Sequence, residues 1–370
     1  MDPRLLKESY ALIEPVANKV AGDFYARLFL ESPPVRDMFP VAMDAQRDRL
    51  MNAILRIVQS LDDPDSLLPM LRQLGRDHRK FGVGPAHYEA VGRNLILSIR
   101  KYVGSAWTPQ MERAWWEAYR FAARTMIEAA ERSAQTTPPW WRARVVSHER
   151  RTFDVAVLTV QTEQPLQYQP GQYVAVETPW VPRTWRVYSM ANIARGDGLL
   201  EFHVKAVGIG GVSSALVRRV QMGDELRIAA PTGQMVLDST SGSRDMLFVA
   251  GSTGLAPMKA LVEDLAQREV GRTAHLFFGV RRRDDLYDLS DLLRMAARYP
   301  WLRVVPAVSD DPSYAGERGN LSDVLSRYGP WTYHDVFVAG GPAMTRATLY
   351  RLYDLGVPAS RIRYDSFGPI

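Results

Sequence analysis

Four short segments in the second half of the chain could hold nucleotides. Arg186-Val187-Tyr188-Ser189 follows Pro170-Gly171-Gln172-Tyr173. Its guanidinium fork suits a pyrophosphate, Tyr188 offers a flat face to an isoalloxazine ring, and Ser189 offers a hydroxyl to that ring's polar edge. An ordinary strand with an exposed arginine is the plainer reading. Gly208-Ile209-Gly210-Gly211-Val212-Ser213-Ser214 runs into an amphipathic helix, and small residues there let backbone amides face a pyrophosphate. Ala250-Gly251-Ser252-Thr253-Gly254 follows a continuous apolar run and opens a helix, but it is not the G-x-G-x-x-G fingerprint. Gly340-Gly341-Pro342-Ala343-Met344 repeats the device after the last apolar run.

The first half carries different chemistry. Leu71, Leu74, His78 and Phe81 recur at steps of three and four, which places a histidine on an apolar helical stripe. Such a histidine is either a satisfied core residue or a ligand. Tyr25 lies on a second stripe with Ala21, Phe24, Leu28 and Phe29, and Gln46, Leu50, Ala53, Ile54 and Ile57 form a third. Taken singly, each is also plain core packing. His87, two residues after Pro85, reads as a solvent-facing or capping residue.

The elements that must position these residues change texture twice. Residues 4–133 read as helix throughout, with prolines between the runs and Thr108 before Pro109 as an N-cap. Thr136-Thr137-Pro138-Pro139 reads as a short stiff linker. Short strands are then predicted over 153–160, 173–176 and 200–204, suiting a small antiparallel barrel. From about Asp245, apolar strands at 246–250, 274–280, 302–307 and 335–339 alternate with helices, the first spanning 256–268. That alternation predicts a parallel α/β sheet. The expectation is three domains: all-α over 1–135, β-barrel over 136–238 and α/β over 239–370.

Composition narrows the chemistry further. The chain has 370 residues, 46% apolar and 24% charged, with a formal net charge of +5 over 46 basic and 41 acidic residues. No long basic block of the kind that grips nucleic acid is present. Cysteine is absent, which removes disulfides, thiolate metal sites, cysteine-ligated iron–sulfur clusters and a cysteine-ligated haem. A histidine-ligated haem remains allowed. No signal-type apolar run and no stretch of about 18 apolar residues occurs, so a cytoplasmic protein without a membrane anchor is expected.

Together these segments resemble the flavohaemoglobin family, a haem-binding globin fused to a ferredoxin-reductase-type FAD/NAD module, over the whole chain. The matching residues are Phe24 to Phe29, Phe39, Gln46, Leu50, His78, Phe81, Tyr88, Val91-Gly92, Leu95 and the Ala114-Trp115 to Ala118-Tyr119 run, followed by the nucleotide motifs in the family's order. The resemblance implies haem b with His78 as axial ligand. It implies Tyr25 as the distal hydrogen-bond donor beside Gln46, Leu50 crowding the sixth position, Phe39 stacked on the porphyrin and Tyr88 beside His78. It implies FAD and NADH or NADPH held by Arg186, Tyr188, Ser189, Gly210, Gly211, Val212, Ser213, Gly251, Thr253, Gly254, Gly340, Gly341, Pro342 and Met344. Phe367 would cover the flavin, or simply anchor the terminus. Arg281-Arg282-Arg283 either accommodates a 2′-phosphate or is a solvated basic turn. The implied reaction is NAD(P)H-dependent conversion of nitric oxide and O2 to nitrate, with no separate ferredoxin. Reduction of alkyl hydroperoxides and an oxygen or NO sensor are the alternatives. Two departures stand out: Ala130 occupies the family's glutamate position, with Glu131 one residue later, and Asp77 stands where a lysine is usual.

Overall fold

The computed structural model describes residues 2–238, 244–268 and 271–367. The chain divides into two compact units, Met1–Trp140 and Trp141–Ile370.

The first unit is helical: α1 Pro3–Ile13, α2 Ala17–Glu31, α3 Asp44–Gln59, α4 Pro64–His78, α5 Pro85–Val103 and α6 Pro109–Ala134. Four of these begin on proline, whose missing N–H costs nothing in a first turn. Side chains of Asp2, Asp63 and Thr108 accept from the amides of Arg4, Ser66 and Met111 and so close three helix starts. The predicted continuous helix is interrupted by 3-10 turns at Glu14–Val16, Pro33–Met38, Arg79–Phe81 and Gly104–Ala106. One turn revises the apolar stripe of α4: the helix ends at His78, and Phe81 lies beyond it, 37% exposed. The core is Leu6, Ile13, Val20, Phe24, Leu28, Leu71 and Ile99 with Trp115. α4 crosses α6 at Gly75, where a Cβ would sit 2.2 Å from the Met126 carbonyl. The start of the predicted linker is tied down, since Arg79 donates to the Thr137 hydroxyl and carbonyl at 3.0 and 2.6 Å.

The second unit joins two sheets. The first comprises β1 Trp141–Arg150, β2 Val155–Thr162, β3 Tyr173–Glu177, β4 Arg186–Ser189, β5 Leu199–Lys205 and β6 Glu225–Ile228, antiparallel in the order β4-β3-β6-β1-β2-β5. A bridge between Met190 and Phe202 brings the two edges together, so the barrel is nearly closed. A short helix, α7 Val212–Arg218, packs on β5. The strand expected over 153–160 starts at Val155 instead. The Thr152 hydroxyl accepts from the amides of Asp154 and Val155, and this local turn competes with the ladder. Phe153 is left 77% exposed. β1 lies ahead of the first strand expected from the sequence.

The second sheet is β7 Met246–Gly251, β8 Ala274–Val280, β9 Leu302–Val308, β10 Glu317–Arg318, β11 Asp335–Gly340 and β12 Ile362–Ser366. It is parallel, ordered β10-β9-β8-β7-β11-β12. Helices α8 Leu255–Gln267, α9 Leu289–Arg298, α10 Leu321–Leu325 and α11 Pro342–Asp354 connect it. Separate hydrophobic clusters cover its faces, which is why β7 and β11 are buried along their whole length. The expected all-α, barrel and α/β classes are all present.

Candidate functional site

In the helical unit, α2 carries Tyr25 inward, 4% exposed, with its ring edge-on to Phe24 at 4.8 Å and to Phe39 at 5.4 Å. The Gln46 amide on α3 donates to the Tyr25 hydroxyl at 3.3 Å. The tyrosine's own proton reaches only the Gln46 backbone carbonyl, at 3.5 Å, the outer limit for such a bond. Burial pushes Tyr25 up to about 12, so it remains a neutral donor. Leu50, one turn beyond Gln46, is half-buried, as is Phe39.

His78 is the last residue of α4 and is half-buried. Its Nδ1 lies 2.7 Å from the Leu74 carbonyl, an acceptor only, so Nδ1 carries the proton and Nε2 keeps a free lone pair. Burial lowers its pKa and favours the neutral ring. A neutral imidazole with one nitrogen oriented by a carbonyl is the form that binds a metal. Among the described residues, no group of three or more His, Asp or Glu is placed to hold a bare ion. A single oriented histidine suits a metal whose other ligands come with it, as in a haem. Tyr88 is half-buried on α5, and its carbonyl accepts from the Tyr119 hydroxyl. Glu131 is exposed on α6, and Asp77 pairs with Lys80 at 3.8 Å. His87 caps α5, its Nδ1 accepting from the Gly84 amide at 2.9 Å.

In the second unit, β4 places Arg186 in solvent, Tyr188 half-buried and Ser189 buried. The Tyr188 ring meets Phe202 edge-on at 6.5 Å, and its hydroxyl is buried without a hydrogen-bond partner. That orphaned group beside an exposed arginine is what a bound, planar, phosphorylated cofactor would complete. The loop before α7 turns at Gly208 and Gly210, whose φ of +70° and +78° suit glycine. Gly211 is the N-cap and Val212 the buried first residue of α7. The Ser213 hydroxyl accepts from the Val207 amide at 3.0 Å and shapes the loop.

The remaining glycines meet where β7 and β11 end. A Cβ on Gly254 would lie 2.1 Å from the Ala339 carbonyl, and one on Gly340 would lie 3.2 Å from the Gly251 Cα. Met344, at the start of α11, packs against both Gly251 and Gly340. Ser252, between Gly251 and Thr253, holds φ +52°, a strained conformation for a side-chain-bearing residue. Gly341 is the N-cap of α11 and Pro342 its first residue. The Phe367 amide donates to the Gly340 carbonyl at 2.7 Å, with the ring 38% exposed. These residues meet at the carboxyl ends of parallel strands β7 and β11, the usual place for a dinucleotide.

Sequence reasoning missed two features. Asp365, opposite Ala339 in β12, has a buried carboxylate oxygen without a partner, and burial pushes it up to about 6. A buried ionic network, described below, joins β5 to α8. Neither leaves a motif.

Residues 22–126 match the globin family, residues 142–237 an oxidoreductase FAD-binding domain and residues 248–349 an oxidoreductase NAD-binding domain. The fold and site therefore define an oxidoreductase that unites haem, FAD and a nicotinamide dinucleotide in one chain. The flavohemoprotein of Chromobacterium violaceum is 29% identical over 98% of this chain and 96% of its own length. The ferredoxin–NAD(P)+ reductase component of a Ralstonia naphthalene 1,2-dioxygenase/salicylate 5-hydroxylase system is 34% identical over 61% of this chain and 68% of its own. The flavohemoglobin of Malassezia yamatoensis shares the fold with a TM-score of 0.78, at 21% identity over 97% of this chain and 98% of its own. The chain belongs to the flavohaemoprotein family. The fused reductase makes a separate ferredoxin unnecessary. No described helix is long and apolar enough to cross a membrane.

Proposed function

We propose that this protein is an NAD(P)H-dependent nitric oxide dioxygenase that uses O2, acts in the cytoplasm and comprises domains at 1–135, 136–238 and 239–370. When bound, the nicotinamide and FAD supply electrons and the haem supplies the iron centre at which O2 and NO react. His78 Nε2 would hold the haem iron, with the ring oriented by the Leu74 carbonyl. Tyr25 is the distal donor, with Gln46 fixing its oxygen from the side. Leu50 and Phe39 would shape the pocket and Tyr88 would pair with His78. Arg186, Tyr188 and Ser189 bind and orient the flavin, with Gly210, Gly211, Val212 and Ser213 at its pyrophosphate and Phe367 over its face. Gly251, Thr253, Gly254, Gly340, Gly341, Pro342 and Met344 bind the nicotinamide dinucleotide.

The observation that carries this reading is the Tyr25 hydroxyl. It is buried and held neutral, and its proton is barely engaged by protein, so it is free to stabilise negative charge developing beside it. Alkyl hydroperoxide reduction stands second. It calls for a strongly basic proximal ligand, and the partner of His78 is a neutral carbonyl while Glu131 points to solvent. The test is aerobic NO consumption in an electrode chamber. Addition of NADH or NADPH should start rapid removal of NO with nitrate as product. A rate no faster than with haem-free protein would end the proposal.

A further inference from the structure

The barrel and the parallel sheet meet at a buried set of charges that no nucleotide motif includes. On β5, Glu201 and His203 lie on one face, with Phe202 between them on the other, where its ring meets Tyr188. Lys259 is the fifth residue of α8, the helix that the Gly251–Gly254 loop opens. It donates to Asp288 at 2.7 Å and to Glu201 at 3.3 Å. Glu201 accepts from His203 Nε2 at 3.0 Å, and His203 Nδ1 lies 2.8 Å from the Tyr287 hydroxyl. Arg151, in the β1–β2 turn, stands 3.9 Å from Asp288 and from Asp291 on α9. Lys259 is 7%, His203 4% and Asp288 0% exposed.

The protonation pattern is fixed by the partners. Burial drives Glu201 upward, but the His203 hydrogen bond and the Lys259 charge outweigh it and bring the group down to about 2. Burial lowers Lys259, and the charges of Glu201 and Asp288 overcome that and raise it. Burial lowers His203, so the ring is neutral. Glu201 is an anion and only accepts, so His203 Nε2 donates to it, and the Tyr287 O–H donates to Nδ1. His203, Glu201 and Tyr287 thus each have one allowed donor or acceptor role. Burying an ion pair adds little net stability against an apolar replacement, and its best-attested use is to fix one geometry.

We propose that this network holds the nicotinamide loop in register with the flavin strand, making Lys259, Glu201, His203, Tyr287 and Asp288 positioning residues for hydride transfer. The proposal rests on the flavin and nicotinamide assignments above. The transfer is balanced as NAD(P)H, FAD and one proton giving NAD(P)+ and FADH2. The network acts through β5, whose other face supports Tyr188, and through α8, whose first turn follows Gly254.

The full-length holoprotein tests this, using anaerobic stopped-flow reduction of its flavin by NADH and NADPH. Lys259→Met should keep its FAD and slow flavin reduction by up to about 100-fold, which a misplacement near 1 Å can cost, with the KM for the nicotinamide changed much less than kcat. It should also recover partly as pH falls, because protonated His203 restores the lost positive charge among Glu201, Asp288, Asp291, Arg151 and Tyr287. Wild type should show no such recovery. Calorimetry of the flavin-free chain gives an independent reading: barrel and sheet should melt together in wild type and separately in Lys259→Met. Should Lys259→Met not fold, Tyr287→Phe carries the same tests with one hydroxyl removed. Flavin reduction at the wild-type rate, or slowing with barrel and sheet still melting together, would overturn the proposal. Wild-type protein that binds FAD but is not reduced by either nicotinamide would instead overturn the functional assignment.

Discussion

In the helical unit the proposed chemistry rests on individual side chains, whereas in the reductase unit it rests on backbone. His78 and Tyr25 are each aimed by one helix and one hydrogen-bond partner. On the proposed assignment, replacing either should delete a function and leave the fold. In the second unit, Gly254 is glycine because the Ala339 carbonyl of β11 leaves no room for a Cβ, and Gly340 is crowded by the Gly251 backbone of β7. There the binding loop and the packing of the sheet are one feature. The difference teaches where a substitution will be silent for stability and severe for chemistry, and where the two cannot be separated.

The sharpest way to break that contrast is His78→Ala. Absorbance of the purified variant should lack the haem Soret band, or regain it only with added imidazole, while FAD content and nicotinamide-driven ferricyanide reduction stay at wild-type levels. A normal haem spectrum would remove His78 as the ligand.

Tyr25→Phe should come next in size. The lost hydrogen bond to a partly charged acceptor is worth roughly 1.5–3 kcal/mol, or roughly 10- to 150-fold in oxygen affinity. Flash photolysis of the reduced, oxygenated protein should show much faster oxygen release, with flavin reduction unaltered. An unchanged off-rate would leave Tyr25 a core aromatic.

Asp365 sharpens the contrast from the reductase side. Its folded pKa of about 6 lies above the ordinary 3.8, so the neutral form is the one the fold favours. The stability it contributes is complete below about pH 4 and lost as pH rises through about 6. Asp365→Asn, neutral throughout, should exceed wild type by up to about 3 kcal/mol at neutral pH in denaturant titrations of the flavin-free chain, with the gap closing near pH 4. A gap independent of pH would show that the carboxyl is not ionising against burial. The smallest effect belongs to Thr108→Ala, which removes the cap of α6 and should cost the helical unit about 1 kcal/mol in melting experiments without touching either nucleotide site.

Much of this was legible because the helical unit and the parallel sheet announce themselves by period. Apolar steps of three and four placed Phe24, Tyr25 and Leu28 inward, and the continuous apolar runs of β7 and β11 marked buried strands. β1 escaped although Trp141, Ala143 and Val145 alternate with exposed Arg142, Arg144 and Val146, because the arginines break up its apolar look. The buried ionic network escaped for a different reason. Lys259 and Glu201 lie 58 residues apart, and nothing local to a strand or helix signals that a charged residue will be paired rather than solvated. Asp365 is likewise an ordinary residue in sequence, made unusual only by what β11 and the chain around it exclude.

The most direct measurement is a visible spectrum of the purified full-length protein before and after anaerobic addition of NADH, and then of NADPH. A ferric haem should become ferrous within the time of mixing, alongside loss of the oxidised flavin band. A flavin that bleaches while the haem stays ferric would contradict it.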